Sequence, residues 1–365
     1  MRFVHSADWQ VGMKCQQLGN ASTRVREERL AAGRRVVQVA KDHAADFLLV
    51  AGDLFEDNAV DRVLVQKTVD ILDSFDGPAF VLPGNHDPVV PGSVWGHPAW
   101  KSSSNVHLLL EDTPVDVPGG ILYPCPIKEK RSGRNPTAWI PSTGPKGVRI
   151  GVAHGTVEGI VQDEQDYPIP PDAAVRAGLD YLALGHWHSF AVYPGPDGIT
   201  RMAYSGTPEP TKFGERDSGN ALVVDIPGLG SPPSITPVHT GWLSWISIEK
   251  ESRESNDLAR VRDEIEANVS PSTTLIQVTL SGVLSADGRD ELERIEQILE
   301  SRFLWGCVDA SALHPSPMDN SWINNLPPGI IREAAVRIRD SVGVPPEVAS
   351  RALIELYALA GESRS

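Results

Sequence analysis

Three short runs near the N-terminus read as buried strands, and each stops at a polar residue. The run from Arg2 ends at Asp8, and Phe47 to Val50 opens into Ala51-Gly-Asp-Leu-Phe-Glu-Asp-Asn58. Ala79 to Leu82 leads into Pro83-Gly-Asn-His-Asp87. Between them lie stretches with helical spacing. One runs to about His43, with Leu30, Val37 and Ala40 among its inward positions and Ser22 or Thr23 as its cap; the other runs from about Val60 to Ser74. Strand–helix–strand–helix–strand with buried strands predicts a layered α/β fold with parallel strands. In such sheets ligands bind beyond the carboxyl ends of the strands. Asp8, Asp53 and Asn85 each stand just past a strand end, so strand spacing alone gathers them on one edge.

The second half adds imidazoles. Val148 to Ala153 reads as a strand ending in His154-Gly155, and Tyr181 to Leu184 as one ending in Gly185-His186-Trp187-His188. Met202 to Tyr204 precedes Ser205-Gly-Thr-Pro-Glu-Pro210, and Asn220 to Ile226 reads as a further strand. Pro227 to Pro237, rich in Gly, Pro and Ser, reads as a linker. Beyond it, strand-like and helical stretches alternate from Leu243 to Ala310 with no catalytic constellation. After Pro327-Pro328, apolar residues recur at helical spacing at Ile331, Ala335, Ile338 and Val342, then at Val348, Ala352, Leu356 and Leu359. The expected organisation is 1–236, a catalytic α/β domain with mixed sheets flanked by helices; 237–318, a small α+β capping domain; and 319–365, a C-terminal helical segment.

Asp8, Asp53, Asn85, His154, His186 and His188 together mix hard oxygens with imidazoles, a set suited to divalent manganese, iron or zinc. Two metals about 3.5–4 Å apart polarise a phosphate and acidify a water, and Asp53 is the candidate to bridge them. Each residue also has a plainer role open to it. Asp8 can cap a helix, Asp53 can form a turn, and His154 alone is typical of a satisfied core histidine. Their joint placement after strands is what favours the metal site.

The set Asp8-Trp-Gln10, Gly52-Asp53-Leu-Phe, Gly84-Asn85-His86-Asp87, His154-Gly155 and Gly185-His186-Trp-His188 resembles the calcineurin-like metallophosphoesterases. Ser205 to Pro210 and Phe213-Gly-Glu215 make it similar to the SbcD-type nuclease subunits of SbcCD DNA-repair complexes and their archaeal and eukaryotic counterparts. The likeness covers about residues 1 to 226. It implies a layered metallophosphoesterase fold and two divalent metal ions, usually manganese. Asp8, Gln10, Asp53 and His188 would hold the first, and Asp53, Asn85, His154 and His186 the second. His86 would protonate the leaving oxygen or steady the transition state. Glu56 stands where such proteins often carry Asp or His, and here it is expected to help orient His86. The implied reaction is hydrolysis of DNA phosphodiesters, as exonuclease on ends and endonuclease on single strands. The implied partner is an SMC-like coiled-coil ATPase, in a dimeric assembly. One position departs from that pattern: the first motif carries Gln10 in place of a histidine, and a neutral carbonyl oxygen holds a cation more weakly than an imidazole nitrogen.

Charge qualifies the DNA reading. The chain carries a formal net charge of −15, whereas nucleic-acid binders are usually basic. The best local patch is the loop with Lys128, Lys130, Arg131 and Arg134; Arg24, Arg26 and Arg29 form another. Solvated surface is the equally open alternative for both. Docking on the ATPase and packing on the chain's own core are likewise both open for the C-terminal stripes. The three scattered cysteines make no disulfide framework, and no apolar run has transmembrane length. With a strand pattern at once at the N-terminus and no signal peptide in view, a nucleoid-associated cytoplasmic enzyme is expected. Two alternatives stand beside it: a phosphoesterase of nucleotides or small phosphodiesters, and a partner scaffold whose first metal site is weakened.

Overall fold

The strands β2 (Phe47–Ala51) and β3 (Ala79–Leu82) are apolar on both faces because both faces are covered, and β1 (Arg2–Ser6) is buried from Phe3 on, its His5 satisfied by Tyr181 Oη and Leu184 O. Their side chains alternate. Val4, Leu48, Val50 and Val81 join one core cluster, whereas Phe3, Phe47, Leu49, Phe80 and Leu82 join another. Phe3 stacks on Phe47 at 4.7 Å, and Phe47 meets Phe80 edge-on at 5.7 Å. A slip of one residue would exchange the aromatic face for the aliphatic one, so shape fixes the register. The structure is a computed structural model and describes residues 1–159, 166–253, 256–315 and 320–362. It divides into two units, Met1–Leu243 and Ser244–Ser365.

In the first unit α1 (Ser22–Asp42) and α2 (Arg62–Asp73) cover the aliphatic face of the first sheet. Asp61 caps α2 by accepting from Val63 N at 2.7 Å. The expected cap of α1 differs: Ser22 lies inside the helix, and its hydroxyl donates backward to the carbonyls of Cys15 and Gly19. After β4 (Val106–Leu108) the chain enters a second sheet. This sheet holds β5 (Val115–Val117), β6 (Gly120–Cys125), β7 (Val148–His154), β8 (Tyr181–Gly185), β9 (Ala191–Pro194) and β10 (Thr200–Tyr204), with the single-turn helix α3 (Ala173–Arg176) between β7 and β8. Then β11 (Asn220–Asp225) and β12 (Ser234–His239) return to the first sheet. The segment read as a linker thus contains an edge strand.

The sheet orders are β12-β11-β1-β2-β3-β4 and β5-β6-β7-β8-β10-β9. In the first, β1 to β4 are parallel while β11 and β12 are antiparallel additions. In the second, β6, β7, β8 and β10 are parallel. The aromatic face of the first sheet packs on Leu122, Ile150, Val152, Tyr181 and Ala183 of the second. Two mixed sheets face each other with helices outside, the layered α/β fold expected. The carboxyl ends of β1, β2, β3, β7 and β8 meet at one edge.

The second unit is a three-stranded parallel sheet, β13 (Ser244–Ser252), β14 (Thr274–Leu284) and β15 (Trp305–Pro315), with α4 (Asp257–Glu266) and α5 (Ala286–Arg302) between the strands. Its core gathers Ile248, Val261, Ile265, Val278, Ile295 and Leu299. Helices α6 (Ser321–Asn325), α7 (Ile330–Arg339) and α8 (Pro346–Glu362) form a small cluster around Trp322, Ile323, Ala335 and Leu353. Ala335, Ile338 and Leu356 of the two apolar stripes pack there, whereas Ile330, Val342 and Val348 stay exposed. The side chain of Leu359 lies outside the described residues. No described helix is long and apolar enough to cross a membrane.

Candidate metal centre

The loops after β1 and β2 are locked together. Asp8 N donates to Gly52 O and Gln10 N to Asp53 O, each at 3.0 Å. Asp8, Gln10, Asp53 and His186 all adopt positive φ, between 45° and 103°. Such backbone is strained for residues with a side chain, and it clusters where function over-determines geometry. Here it turns four polar side chains into one buried space. Asp8 is fully buried and Asp53 is 1 % exposed, and with His154 they bring ligand atoms within 4.8 Å of one another. Asn85 Oδ1 lies 2.8 Å from His154 Nε2 and 3.0 Å from His186 Nδ1. His154 Nε2 is also 3.4 Å from Asp53 Oδ2. Asp8 accepts from His186 N.

The turn after β3 is held by Asp87, whose carboxylate accepts from Phe55 N at 2.8 Å and Gly84 N at 2.7 Å. His86 N donates to Asp53 Oδ1 at 2.9 Å. The His86 ring lines a cleft of about 580 Å³ together with Gln10, Asp53, Glu56, His186 and His188. Its Nδ1 donates to Glu56 O at 2.9 Å, leaving Nε2 to the cleft. The main-chain carbonyl of Glu56 thus holds the His86 ring, and the Glu56 carboxylate also feels the charge of His86. The carboxylate has one buried oxygen with no hydrogen-bond partner.

Electrostatics agree with a cation site. Burial outweighs the attraction of His154 and pushes Asp8 up to about 6. Asp53 is held below the usual carboxylate range despite burial, by the charge of and hydrogen bond to His154. Burial and the neighbouring His154 push His186 down to about 3, so its ring is neutral and able to ligate. The donor set fits a divalent cation on a geometric ground as well. His154 Nδ1 faces Ala51 O at 3.0 Å and so carries a hydrogen. In the neutral ring the Nε2 lone pair then faces Asn85 Oδ1 at 2.8 Å, two acceptors that need positive charge between them. Without a metal a proton supplies that charge: burial works to lower His154, yet the Asp53 carboxylate holds it up at about 9. Asp53, Asn85, His154 and His186 would hold one ion, and Asp8, Gln10, Asp53 and His188 another.

Sequence reasoning missed the support behind His188. Its Nδ1 donates to Glu215 Oε1 at 2.8 Å and sits 2.9 Å from Thr211 Oγ1. Thr211 also donates to Glu215 from both its main-chain N and its hydroxyl. Burial works to raise the Glu215 pKa, yet His188 and Thr211 hold it below the ordinary value, so it is a fixed acceptor. The Phe213-Gly-Glu215 motif was the available signal.

The basic residues do not join the site. Lys128 pairs with Asp112 at 2.9 Å and Glu111 at 3.5 Å, and neither it nor Lys130, Arg131 or Arg134 lines the cleft. Arg29 is interior, 2 % exposed, donating to Trp9 O and Pro210 O at 3.1 and 3.2 Å, with Thr207 Oγ1 at 3.4 Å. It joins the first motif to the loop leading to Glu215. Arg29→Met keeps the bulk but orphans these buried acceptors, each worth about 1–3 kcal/mol when left unpaired. A loss of about 3 kcal/mol in chemical denaturation is expected, with no selective change in nucleic-acid affinity.

A sequence profile of the calcineurin-like phosphoesterase family matches residues 1–190. The uncharacterized metallophosphoesterase YhaO of Bacillus subtilis (strain 168) is 25% identical over 218 residues, 53% of this chain and 52% of its own. The chain thus spans about half the length of that curated relative. Among solved structures, TT1561 of Thermus thermophilus matches with a TM-score of 0.41 at 10% identity, covering 66% of this chain and 98% of that one.

Proposed function

Because the chain belongs to the calcineurin-like phosphoesterase family, a family of enzymes that bind divalent metals, we propose that it is a dinuclear-metal phosphodiesterase acting on DNA, as exonuclease on ends and endonuclease on single strands. The observation that carries the reading is the convergence of Asp8, Asp53, Asn85, His154 and His186 beside His86 at one cleft. When bound, divalent cations, of which manganese fits the mixed oxygen and imidazole set, steady the charge on a phosphodiester and acidify a water. The chain's own residues do the rest. His86, its Nδ1 tied to Glu56 O, gives a proton from Nε2 to the leaving oxygen. Asp53 accepts from His86 N and so ties the acid to the ligand set.

Lys212 at the cleft, with Trp187 and Phe213 beside it, supports a nucleic-acid substrate, since a cation meets a neighbouring phosphate and aromatic rings meet bases. The net charge of −15 supports a partner that completes DNA binding. Exposed Ile330, Val342 and Val348 support docking of the C-terminal helices on an SMC-like ATPase subunit, in a nucleoid-associated dimeric complex. The pairing of Lys128 with Asp112 and Glu111, away from the cleft, favours a second reading, a phosphoesterase of nucleotides or small phosphodiesters.

The test is the full chain with saturating manganese on end-labelled duplex DNA, circular single strands and a small chromogenic diester. Cleavage of both DNA substrates is expected. Turnover of the small diester alone would establish the second reading. Turnover of none, with the ATPase present, would overturn both.

A further inference from the structure

The two halves of the centre are unequal in a way that sets metal stoichiometry. Around Asn85 the buried atoms face one another as acceptors: Asn85 Oδ1, the lone pair of a neutral His154 Nε2 and the carboxylate of Asp53. This half is complete only with a positive charge among them, a proton or a cation. Around His188 the reverse holds. Glu215 and Thr211 hold Nδ1, which fixes the hydrogen on that nitrogen and the lone pair on Nε2. Nε2 then lies 3.1 Å from the amide nitrogen of Gln10. The amide satisfies the one lone pair His188 can offer. The ring cannot turn to present the other nitrogen without breaking the bond to Glu215. Gln10 is itself only 5 % exposed, at the edge of the cleft it lines.

We infer that Gln10 closes the His188 half of the centre in the metal-free chain, so that one divalent cation binds tightly at Asp53, Asn85, His154 and His186 and a second binds only by displacing the Gln10–His188 hydrogen bond. The amide must turn over to offer its oxygen before it becomes a ligand. Losing an orienting hydrogen bond around a metal ligand costs about 10–100-fold in affinity, and here the bond must be lost for the ligand to be used at all.

The inference rests on the reading of this cleft as a metal centre, and the experiment separates the two. Metal-stripped full chain is titrated with Mn2+ alone, free ion being followed by electron paramagnetic resonance and bound ion by calorimetry. One tight equivalent and a second at least about tenfold weaker are expected. In Gln10→His the amide is replaced by an imidazole at a φ of 45°, a region histidine tolerates better than most residues. There the second equivalent is expected to tighten at least about tenfold while the first stays unchanged. Two equivalents of equal affinity in the native chain overturn the inference while leaving the metal centre intact. So does an unchanged second equivalent in a Gln10→His protein that melts as the native one does. If that variant does not fold, the native isotherm decides alone. Uptake of no cation overturns the metal reading itself.

Discussion

His86→Ala is expected to lower kcat by about 10²–10⁴-fold with manganese saturating, the range a positioned general acid supplies. The same protein should take up cations with native affinity. The contacts justify that split. The link from His86 to the ligand set is its main-chain N, which donates to Asp53 Oδ1 and survives the substitution. The ring contributes only Nδ1 to Glu56 O and Nε2 to the cleft. Substrate chemistry sharpens the expectation. A diester whose leaving group is already a weak base needs little protonation, so the loss on a nitrophenyl ester should be smaller than on DNA. Parallel assays of native and variant protein on the two substrates measure this. Equal losses on both would remove His86 from proton donation.

Gly84→Ala should disable the centre by a different route. A Cβ at Gly84 would stand 2.1 Å from Asp53 Oδ1 and 2.4 Å from Asp53 N, far inside contact distance. The loop after β3 would have to retreat from the loop after β2, and Asp87, which holds Gly84 N and Phe55 N together, would be pulled with it. Overpacking of this kind costs about 1–3 kcal/mol. For a domain of this size that is about 2–4 °C in melting temperature per kcal/mol. Activity should fall much further than stability, because Asn85 and His86 ride on the displaced turn. Gly96→Ala, with open space around the added carbon, is the matched control and should change neither. Calorimetry and turnover on the same preparations decide the matter.

The strands behind Asp53 and Asn85 could be read from the chain alone, because they are apolar throughout and stop abruptly at polar residues, and the one behind Asp8 by its buried Phe3 and Val4 despite His5 and Ser6. His154 and His186 followed by the same logic. What stayed hidden did so for physical reasons. Glu215 reaches His188 from an irregular loop, which has no periodicity to mark it. The contact from Glu56 to His86 runs through a main-chain carbonyl, which carries no residue-type signal. Arg29 sits on a helix whose Arg24, Arg26 and Arg34 face solvent, and the carbonyls of Trp9 and Pro210, distant in sequence, draw it inward. The strand Ser234–His239 was concealed by Pro237 within it and Pro232-Pro233 before it; an edge strand tolerates such a proline and a central one does not.

The placement of β1 between β2 and β11 bears on how the chain is made. Arg2 pairs with Asp225 and His5 with Leu222, so the earliest strand to be synthesised waits for more than two hundred residues before its second neighbour exists. Pairings so distant in sequence close slowly. Until they do, the strand bearing Asp8 keeps one edge open to foreign strands. Glu215, which holds His188, emerges equally late. A fragment ending near residue 190 would carry most of the polar residues of the centre but lack both β11 and Glu215. On the phosphodiesterase reading, activity is expected only after β11 has docked on β1, and the span from Phe3 to Ala7 is the one left longest without its second neighbour.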